Sequence, residues 1–108
     1  NWFSHGDERH FIWPGFGDNM RVLMWMLARC RGEVDAVETP IGYVPKAEDI
    51  NIDGLDGITL DTVKGLLDVD KKLWMEDANG VEALYDEIGA RVPAELRKQL
   101  ADLKARLA

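Results

Sequence analysis

Apolar residues recur at helical spacing in the stretch 20–32, which is the first of several predicted helices. Asp18 or Asn19 is a natural N-cap for this helix, and Gly32 closes it. The apolar side chains form one broad stripe and extend onto a neighbouring face. Because a helix that is apolar on most faces is stable only when it is covered, we expect it to be buried, together with the thiol of Cys30.

The second half of the chain, 59–108, has the pattern of a helical tail. A short helix is predicted over 59–67, and one or two further helical turns over 70–76, each with apolar residues on one side. Asn79, followed three residues later by a glutamate, matches a capping box. This motif predicts a separate helix over 81–88.

The last helix of the tail starts at Pro93, which suits a first turn because the amide hydrogen that proline lacks has no partner there. Leucines then recur at spacings of four, three and four residues, so they share one stripe. We expect this stripe to pack on another part of the protein. The leucines are Leu96, Leu100, Leu103 and Leu107.

Regular helix is not predicted outside these stretches. The connection 33–58 contains recurrent Pro and Gly, which break helices, so it is predicted to be irregular or extended. In 1–19, aromatic positions flank a polar turn at 4–8, which indicates a hairpin tip with weak strand character. The predicted fold class is therefore mainly α with a short irregular or β N-terminal segment, in one domain over 1–108.

The formal net charge of −7 argues against broad attachment to nucleic acid or to an anionic membrane, since both need clustered Lys and Arg. A small ligand or a protein partner is favoured. The longest apolar run, 22–28, is far too short to span a membrane. Cys30 is the only cysteine, so no internal disulfide forms, and a cytoplasmic location is predicted. Because the chain begins at Asn1 rather than at methionine, we expect a segment of a larger protein.

The start of the chain combines aromatic rings, glycines and a side-chain amide. Phe3, Phe11 and Phe16 are planar rings suited to stack on a planar heterocycle, and Gly17 lets a backbone N–H approach a ligand closely. Asn19 can donate and accept hydrogen bonds along the edge of a base. The combination predicts a purine-binding pocket.

Guanine is the purine that such an amide favours. Guanine presents O6 as an acceptor where adenine presents an amino donor, so an amide nitrogen or a backbone N–H directed there selects guanine. Stacking is worth about 1–3 kcal/mol per base and tolerates any base. The rings are therefore expected to hold the base, and Asn19 to choose it.

Two other groups of residues have structural interpretations. His5 and His10 lie near acidic residues at 7–8, but their spacing fits no common ligand pattern, so a solvated turn is predicted and no metal site. Aromatic side chains in a small domain often fill its core. Three tryptophans are assigned to packing: Trp13, Trp25 and Trp74.

Three segments carry a family resemblance: Asn1-Trp2-Phe3, the run 11–19 (Phe-Ile-Trp-Pro-Gly-Phe-Gly-Asp-Asn) and the run 38–45 (Glu-Thr-Pro-Ile-Gly-Tyr-Val-Pro). In this order they closely resemble the C-terminal end of GTP-dependent phosphoenolpyruvate carboxykinases, and the resemblance spans the whole chain. It implies an α+β parent enzyme, a lyase of gluconeogenesis that reversibly converts oxaloacetate and GTP to phosphoenolpyruvate, GDP and carbon dioxide. It also implies Mn²⁺ and Mg²⁺, bound outside this segment.

The resemblance further implies which residues of this chain form the guanine site. The three phenylalanine rings look like the walls that enclose the base, the amide looks like the group that reads its edge, and Trp2 flanks the pocket. The family's phosphate-binding loop, metal ligands and substrate-binding arginines lie upstream. The segment alone is therefore expected to be inactive, with no catalytic residues and with the remainder of the parent enzyme as its partner. The implied guanine-binding residues are Trp2, Phe3, Phe11, Phe16, Gly17, Asp18 and Asn19.

An alternative hypothesis belongs to a different class of protein. The chain is then a non-catalytic helical interaction module whose aromatic residues fill its own core. Self-association through exposed apolar surface is compatible with both hypotheses.

Overall fold

The computed structural model describes residues 2–6 and 10–108, which are mainly helical with one small two-stranded antiparallel sheet. The predicted fold class is confirmed. In this part of the chain, none of the helices has the length and apolar character needed to cross a membrane. The elements are α1 (Asn19–Cys30), β1 (Val37–Thr39), β2 (Gly42–Val44), α2 (Leu60–Leu67), α3 (Lys71–Ile88) and α4 (Ala94–Leu107), with 3-10 turns at Phe16–Asp18, Ala47–Asp49 and Gly89–Arg91.

The chain divides into two compact units, and the single segment over 1–108 that length and composition favour stays a prediction. The first comprises Asn1–Glu38 and Tyr43–Asp68, and the second comprises Thr39–Gly42 and Val69–Ala108. Each unit has its own cluster of buried apolar residues.

The core of the first unit is built around two tryptophans. Trp13 is 4% exposed and Trp25 is 8% exposed, and both pack with Ala47, Ile50 and Val63. Indole rings bury a large apolar area, so two of them can dominate a core of this size. The packing roles predicted for these tryptophans are confirmed.

The helix α1 begins one residue earlier than predicted, at Asn19, and ends at Cys30. Asp18 occupies the N-cap position, but its side chain makes no capping hydrogen bond. The 3-10 turn that precedes the helix provides a backbone partner instead, because the Asn19 N–H donates to the Phe16 carbonyl. The start of the helix therefore does not depend on a side-chain cap.

The expectation that α1 is buried on most faces is wrong. Trp25 is the only buried residue of this helix, all of which the structure describes. At 100° per residue, four exposed apolar side chains of the helix lie within an arc of about 100° on the side opposite Trp25, and Met26, which is also exposed, lies outside this arc. Cys30 is also exposed, contrary to the prediction of a buried thiol. We call the exposed arc the outer face of α1: Met20, Leu23, Met24 and Leu27.

The connection predicted over 33–58 contains the β1–β2 hairpin and the 3-10 turn Ala47–Asp49. The Thr39 hydroxyl donates to the Gly42 carbonyl across the hairpin turn at 2.6 Å. Gly42 has a φ of 122°, a backbone conformation that residues other than glycine rarely adopt. The extended character predicted around Pro40 thus takes the form of a short hairpin.

In the second unit, α3 is one unbroken helix, so the helix start predicted at Asn79 is wrong. The observed N-cap is Asp70, whose carboxylate accepts hydrogen bonds from the N–H groups of Lys72 and Leu73 at 2.8 and 3.1 Å. Ala78, only 1% exposed, belongs to the core beside α4. A helix boundary at Asn79 would interrupt this buried face, and packing therefore outweighs the local capping motif.

The leucine stripe of α4 packs as predicted at three of its four positions. Leu100 and Leu107 are buried and Leu103 is partly buried, whereas Leu96 is 47% exposed. Trp74 packs against the same cluster, as predicted. α3 and α4 therefore cover each other's apolar faces.

Candidate functional site

The aromatic start of the chain folds back on itself. His5 and Phe11 form an antiparallel bridge, flanked by backbone hydrogen bonds of 3.0 and 2.9 Å. This pairing confirms the weak strand character predicted there. Of the polar tip predicted at 4–8, residues 7 and 8 lie outside the described residues.

Two of the three predicted phenylalanines meet at this bridge. The ring centroids of Phe3 and Phe11 lie 6.0 Å apart with an angle of 71° between the ring planes, an edge-to-face contact. The His5 ring lies 4.7 Å from Phe11 in a tilted arrangement. Both phenylalanines remain open to solvent, with exposures of 70% and 54%. His5, predicted to lie in a solvated turn without a metal, instead packs beside these rings, a contact that was not predicted from the sequence.

The third ring, Phe16, stands apart from this pair. It is 94% exposed, and among the described residues no aromatic ring contacts it. It follows Gly15, whose φ of 106° allows the sharp turn that opens the 3-10 turn Phe16–Asp18. The structure thus brings two of the predicted rings together and presents the third on an exposed turn.

Asn19 is held by a side chain that the sequence analysis assigned only to packing. The buried Trp13 donates its indole N–H to Asn19 Oδ1 at 2.9 Å. Asn19 itself is half-buried at the first position of α1. The sequence signal that could have indicated the Trp13–Asn19 hydrogen bond is an indole, which can only donate, six residues before a side-chain amide that can accept.

Gly17 and Asp18, which lie between Phe16 and Asn19, differ in how accessible they are to a ligand. Gly17 is exposed, and a side chain built at this position would contact nothing within 4 Å. Asp18 is engaged within the protein, since its Oδ1 accepts from Arg21 Nε at 3.0 Å. Arg21 also donates from Nη1 to the Asn51 carbonyl at 2.9 Å. Asp18 therefore helps to fix the turn through Arg21.

Trp2 lines a cavity of about 110 Å³ in the first unit. The lining is almost wholly apolar and includes Trp13, Val22 and Leu66. Such a lining suits an apolar group better than a charged one. Trp2 borders this apolar cavity, and its predicted place beside a guanine pocket stays a prediction.

The chemistry of this region is that of a binding surface. Exposed rings offer stacking, and a fixed carboxamide offers hydrogen bonds along the edge of a flat ligand. Within residues 2–6 and 10–108, no group of three His, Cys, Asp or Glu side chains is placed to hold a metal ion. Exposed rings beside a fixed carboxamide suit a planar, hydrogen-bonding ring system.

Comparison with known proteins places this chain in a family. The family model described as "Phosphoenolpyruvate carboxykinase C-terminal P-loop domain" matches residues 1–106. Curated relatives named "Phosphoenolpyruvate carboxykinase [GTP]" include those of Renibacterium salmoninarum and Corynebacterium glutamicum strain R, each 44% identical over 107 residues, which are 99% of this chain. The relative from Treponema pallidum subsp. pallidum is 44% identical over 108 residues. The chain belongs to the GTP-dependent phosphoenolpyruvate carboxykinase family.

The match covers only a small part of each relative. This chain spans 18% of the Renibacterium protein and 17% of the Corynebacterium protein. Although the family model is named for a P-loop, the chain contains no G-x-x-x-x-G-K-S/T sequence. The hypothesis of a non-catalytic interaction module is not favoured, because the matched relatives are named as an enzyme.

Proposed function

We propose that this chain forms the guanine-binding part of the nucleotide site in a GTP-dependent phosphoenolpyruvate carboxykinase. On this proposal the complete enzyme converts oxaloacetate and GTP to phosphoenolpyruvate, GDP and carbon dioxide. The observation that carries the proposal is the solvent-open Phe3–Phe11 pair together with the fixed amide of Asn19. These features supply stacking and edge recognition without any catalytic group.

The exposed phenylalanines support this role. Phe16 is 94% exposed and Phe3 is 70% exposed, although burial of a side chain of this size is favourable by about 1.5–3 kcal/mol. A flat base covers such rings on binding, and each stack contributes about 1–3 kcal/mol. Gly17 and Asp18 are proposed to line the base through their backbone, because the Asp18 carboxylate is engaged by Arg21. Trp2 is proposed to border the site.

Catalysis and metal binding are proposed to reside in the rest of the enzyme. Residues 2–6 and 10–108 contain no group of three His, Cys, Asp or Glu side chains placed to hold a metal ion, and the Mn²⁺ and Mg²⁺ that the family implies are proposed to bind in the rest of the enzyme. Such ions supply charge neutralisation at the phosphates where they bind. The lone Cys30 supports a reducing compartment, and we propose a cytoplasmic location.

The remainder of the parent polypeptide is the proposed partner of the outer face of α1. Met20, Leu23, Met24 and Leu27 are each between 40% and 64% exposed, at the i, i+3, i+4, i+7 spacing of a packing face. The relatives are more than five times as long as the matched segment, which spans 17–18% of them. That additional chain is a sufficient source of the apolar surface that covers this face.

The partner proposal can be tested by thiol labelling. A chimera is made in which this chain replaces the 107 aligned residues of the Corynebacterium glutamicum enzyme. In a Cys30→Ser background, Met24→Cys is expected to react quickly with a maleimide in the 108-residue chain and at least tenfold more slowly in the chimera. Asp61→Cys is the control, since the Asp61 side chain is 93% exposed on α2. Equal rates for Met24→Cys in both proteins contradict the proposal, as does protection that appears only when the 108-residue chain dimerises.

The guanine proposal is tested in the same chimera through its nucleotide preference, defined as kcat/KM with GTP divided by kcat/KM with ATP. Asn19→Ala is expected to lower this ratio by about tenfold, because the donor that matches guanine O6 is lost. Asn79→Ala, the same change at an exposed position in α3, serves as the control and leaves the ratio unchanged. A folded chimera without activity, or an unchanged ratio in Asn19→Ala, contradicts the proposed function.

A further inference from the structure

The hydrogen bond between Trp13 and Asn19 fixes which end of the carboxamide faces outward. The indole nitrogen of tryptophan can only donate, so its partner at 2.9 Å must be the amide oxygen and not the NH₂ group. The backbone N–H of Asn19 donates to the Phe16 carbonyl, so the main chain of this residue is also held at the start of α1. The amide oxygen is therefore occupied within the protein, and the NH₂ group is left for other partners.

The NH₂ group of Asn19 has no hydrogen-bond acceptor among the described residues. A free amide would be able to rotate by 180° about its terminal bond and offer either its oxygen or its nitrogen to a ligand. An amide that is held by its oxygen offers donors only. Donors match the O6 acceptor of guanine, and they oppose the N6 amino group of adenine.

We propose that Trp13 is a positioning residue that sets the base preference of the site by holding Asn19 in its donor-outward orientation. The proposal rests on the proposed function of this chain as a guanine site. Trp13 does not touch the base on this proposal. Its effect passes through the single bond from its indole N–H to the amide oxygen of Asn19.

Trp25 shows that burial of an indole in this core does not by itself produce such a bond. Trp13 and Trp25 belong to the same cluster and are 4% and 8% exposed. The indole N–H of Trp25 has no hydrogen-bond partner in the described part of the chain. The two tryptophans share a packing role, but only Trp13 holds the amide of Asn19.

The pair also provides a matched experiment in the chimera. Trp13→Phe removes the N–H donor and keeps an aromatic ring, so Asn19 becomes free to rotate and to accept from adenine. The nucleotide preference is expected to fall by about three- to tenfold, the range of one hydrogen bond. Trp25→Phe makes the same chemical change in the same core without loss of a bond, and is expected to leave the preference unchanged. Equal effects of the two substitutions overturn the proposal.

A double variant separates positioning from general damage to the core. If Trp13 acts through Asn19, then Trp13→Phe lowers the preference no further in a protein that already carries Asn19→Ala. A further loss of the full size contradicts action through Asn19. Failure of the proposed function is distinguishable, because it leaves Asn19→Ala itself without effect. Failure of this inference alone leaves Asn19→Ala effective and Trp13→Phe no different from Trp25→Phe.

A variant with an intact Trp13 covers the case in which Trp13→Phe does not fold. Asn19→Asp retains an oxygen for the indole N–H and replaces the outward donor by an acceptor. The preference is then expected to shift from GTP towards ATP by tenfold or more. An unchanged preference in folded Asn19→Asp overturns the proposal.

Discussion

Two helices of this protein, α1 and α4, carry similar apolar stripes that differ in their exposure to solvent. The α4 stripe is covered in the second unit, where Leu100 and Leu107 are 9% and 4% exposed. The outer face of α1 in the first unit is open, with Met24 64% and Leu27 54% exposed. Both stripes have the spacing of a packing face. Helical periodicity therefore predicts that a face is apolar, but the covering partner depends on what else the polypeptide supplies.

The comparison predicts a large loss of stability from a truncation in the covered stripe. Leu100→Ala removes buried methyl groups from the core between α3 and α4, and is expected to lower the free energy of unfolding by about 2–5 kcal/mol. Urea denaturation of the 108-residue chain, followed by far-UV circular dichroism, measures the change. Leu96→Ala on the same helix is the control, with an expected loss below about 1 kcal/mol because Leu96 is 47% exposed. Similar losses in both variants would show that the stripe is not covered as described.

A substitution at the end of α3 is expected to change the free energy of unfolding by a smaller amount, and the direction of the change can be predicted. Gly89 follows α3 with a φ of 71°, and a Cβ built there would contact nothing within 4 Å. Because its ψ of −136° places it in a region that other residues rarely populate, Gly89→Ala is expected to cost about 1–3 kcal/mol through backbone strain alone. Gly80→Ala, in the interior of the same helix and equally uncrowded, is expected to stabilise by about 0.5–1 kcal/mol. Thermal unfolding of both variants tests these opposite signs, and a shift of the same sign in both refutes the assignment.

The helical pattern was largely predictable because it depends on local spacing. The final helix with its leucine stripe and the short helix ending at Leu67 follow from periodicity and from proline or cap positions. The start predicted at Asn79 was wrong because a capping box is a local motif that can also occur inside a helix. The burial of Ala78 against its neighbours keeps α3 continuous through this position, and such burial depends on tertiary packing.

The site was predictable in its residue types but not in its contacts. The aromatic cluster and the amide are visible in the sequence, whereas the bond from Trp13 to Asn19 depends on how a turn at Gly15 directs the chain. Cys30 was assigned to a buried face because the helical pattern around it is apolar. The pattern gives no information about which side of α1 the core of the first unit covers.

The exposed outer face of α1 is expected to tolerate a leucine-to-alanine substitution, whereas the covered stripe of α4 is not. Leu27→Ala is expected to change the unfolding free energy of the 108-residue chain by no more than about 0.5 kcal/mol, because its side chain is 54% exposed. In the chimera the same change is expected to destabilise by about 2 kcal/mol or more, since the proposed partner surface then covers the side chain. Chemical denaturation of both proteins provides the measurement. A null effect in the chimera would indicate that the outer face of α1 stays open in the longer protein.

The smallest expected effect concerns an ion pair that follows α1. The Arg31 guanidinium donates two hydrogen bonds to the Glu33 carboxylate, at 2.7 and 2.8 Å. These hydrogen bonds, assisted by the positive charge of Arg31, lower the pKa of Glu33, while desolvation opposes the shift. Because the pKa is lower in the folded state, the pair stabilises the fold above the unfolded-state pKa of Glu33. This contribution is lost as the pH falls through the folded-state pKa.

Both side chains are exposed to solvent, which keeps this contribution small, and direct titration is therefore the more sensitive measurement. The side-chain carboxyl of Glu33, followed by NMR across acidic pH, is expected to titrate below the ordinary range for glutamate. Arg31→Ala is expected to return the pKa of Glu33 towards that range and to leave the unfolding midpoint at low pH unchanged. An identical titration of Glu33 in both proteins contradicts the pairing.

The largest and the smallest of these effects can also be compared directly. If Leu100→Ala lowers the free energy of unfolding no more than Arg31→Ala does, the covered stripe of α4 contributes no more to stability than an exposed ion pair, which contradicts the difference drawn between covered and exposed surface.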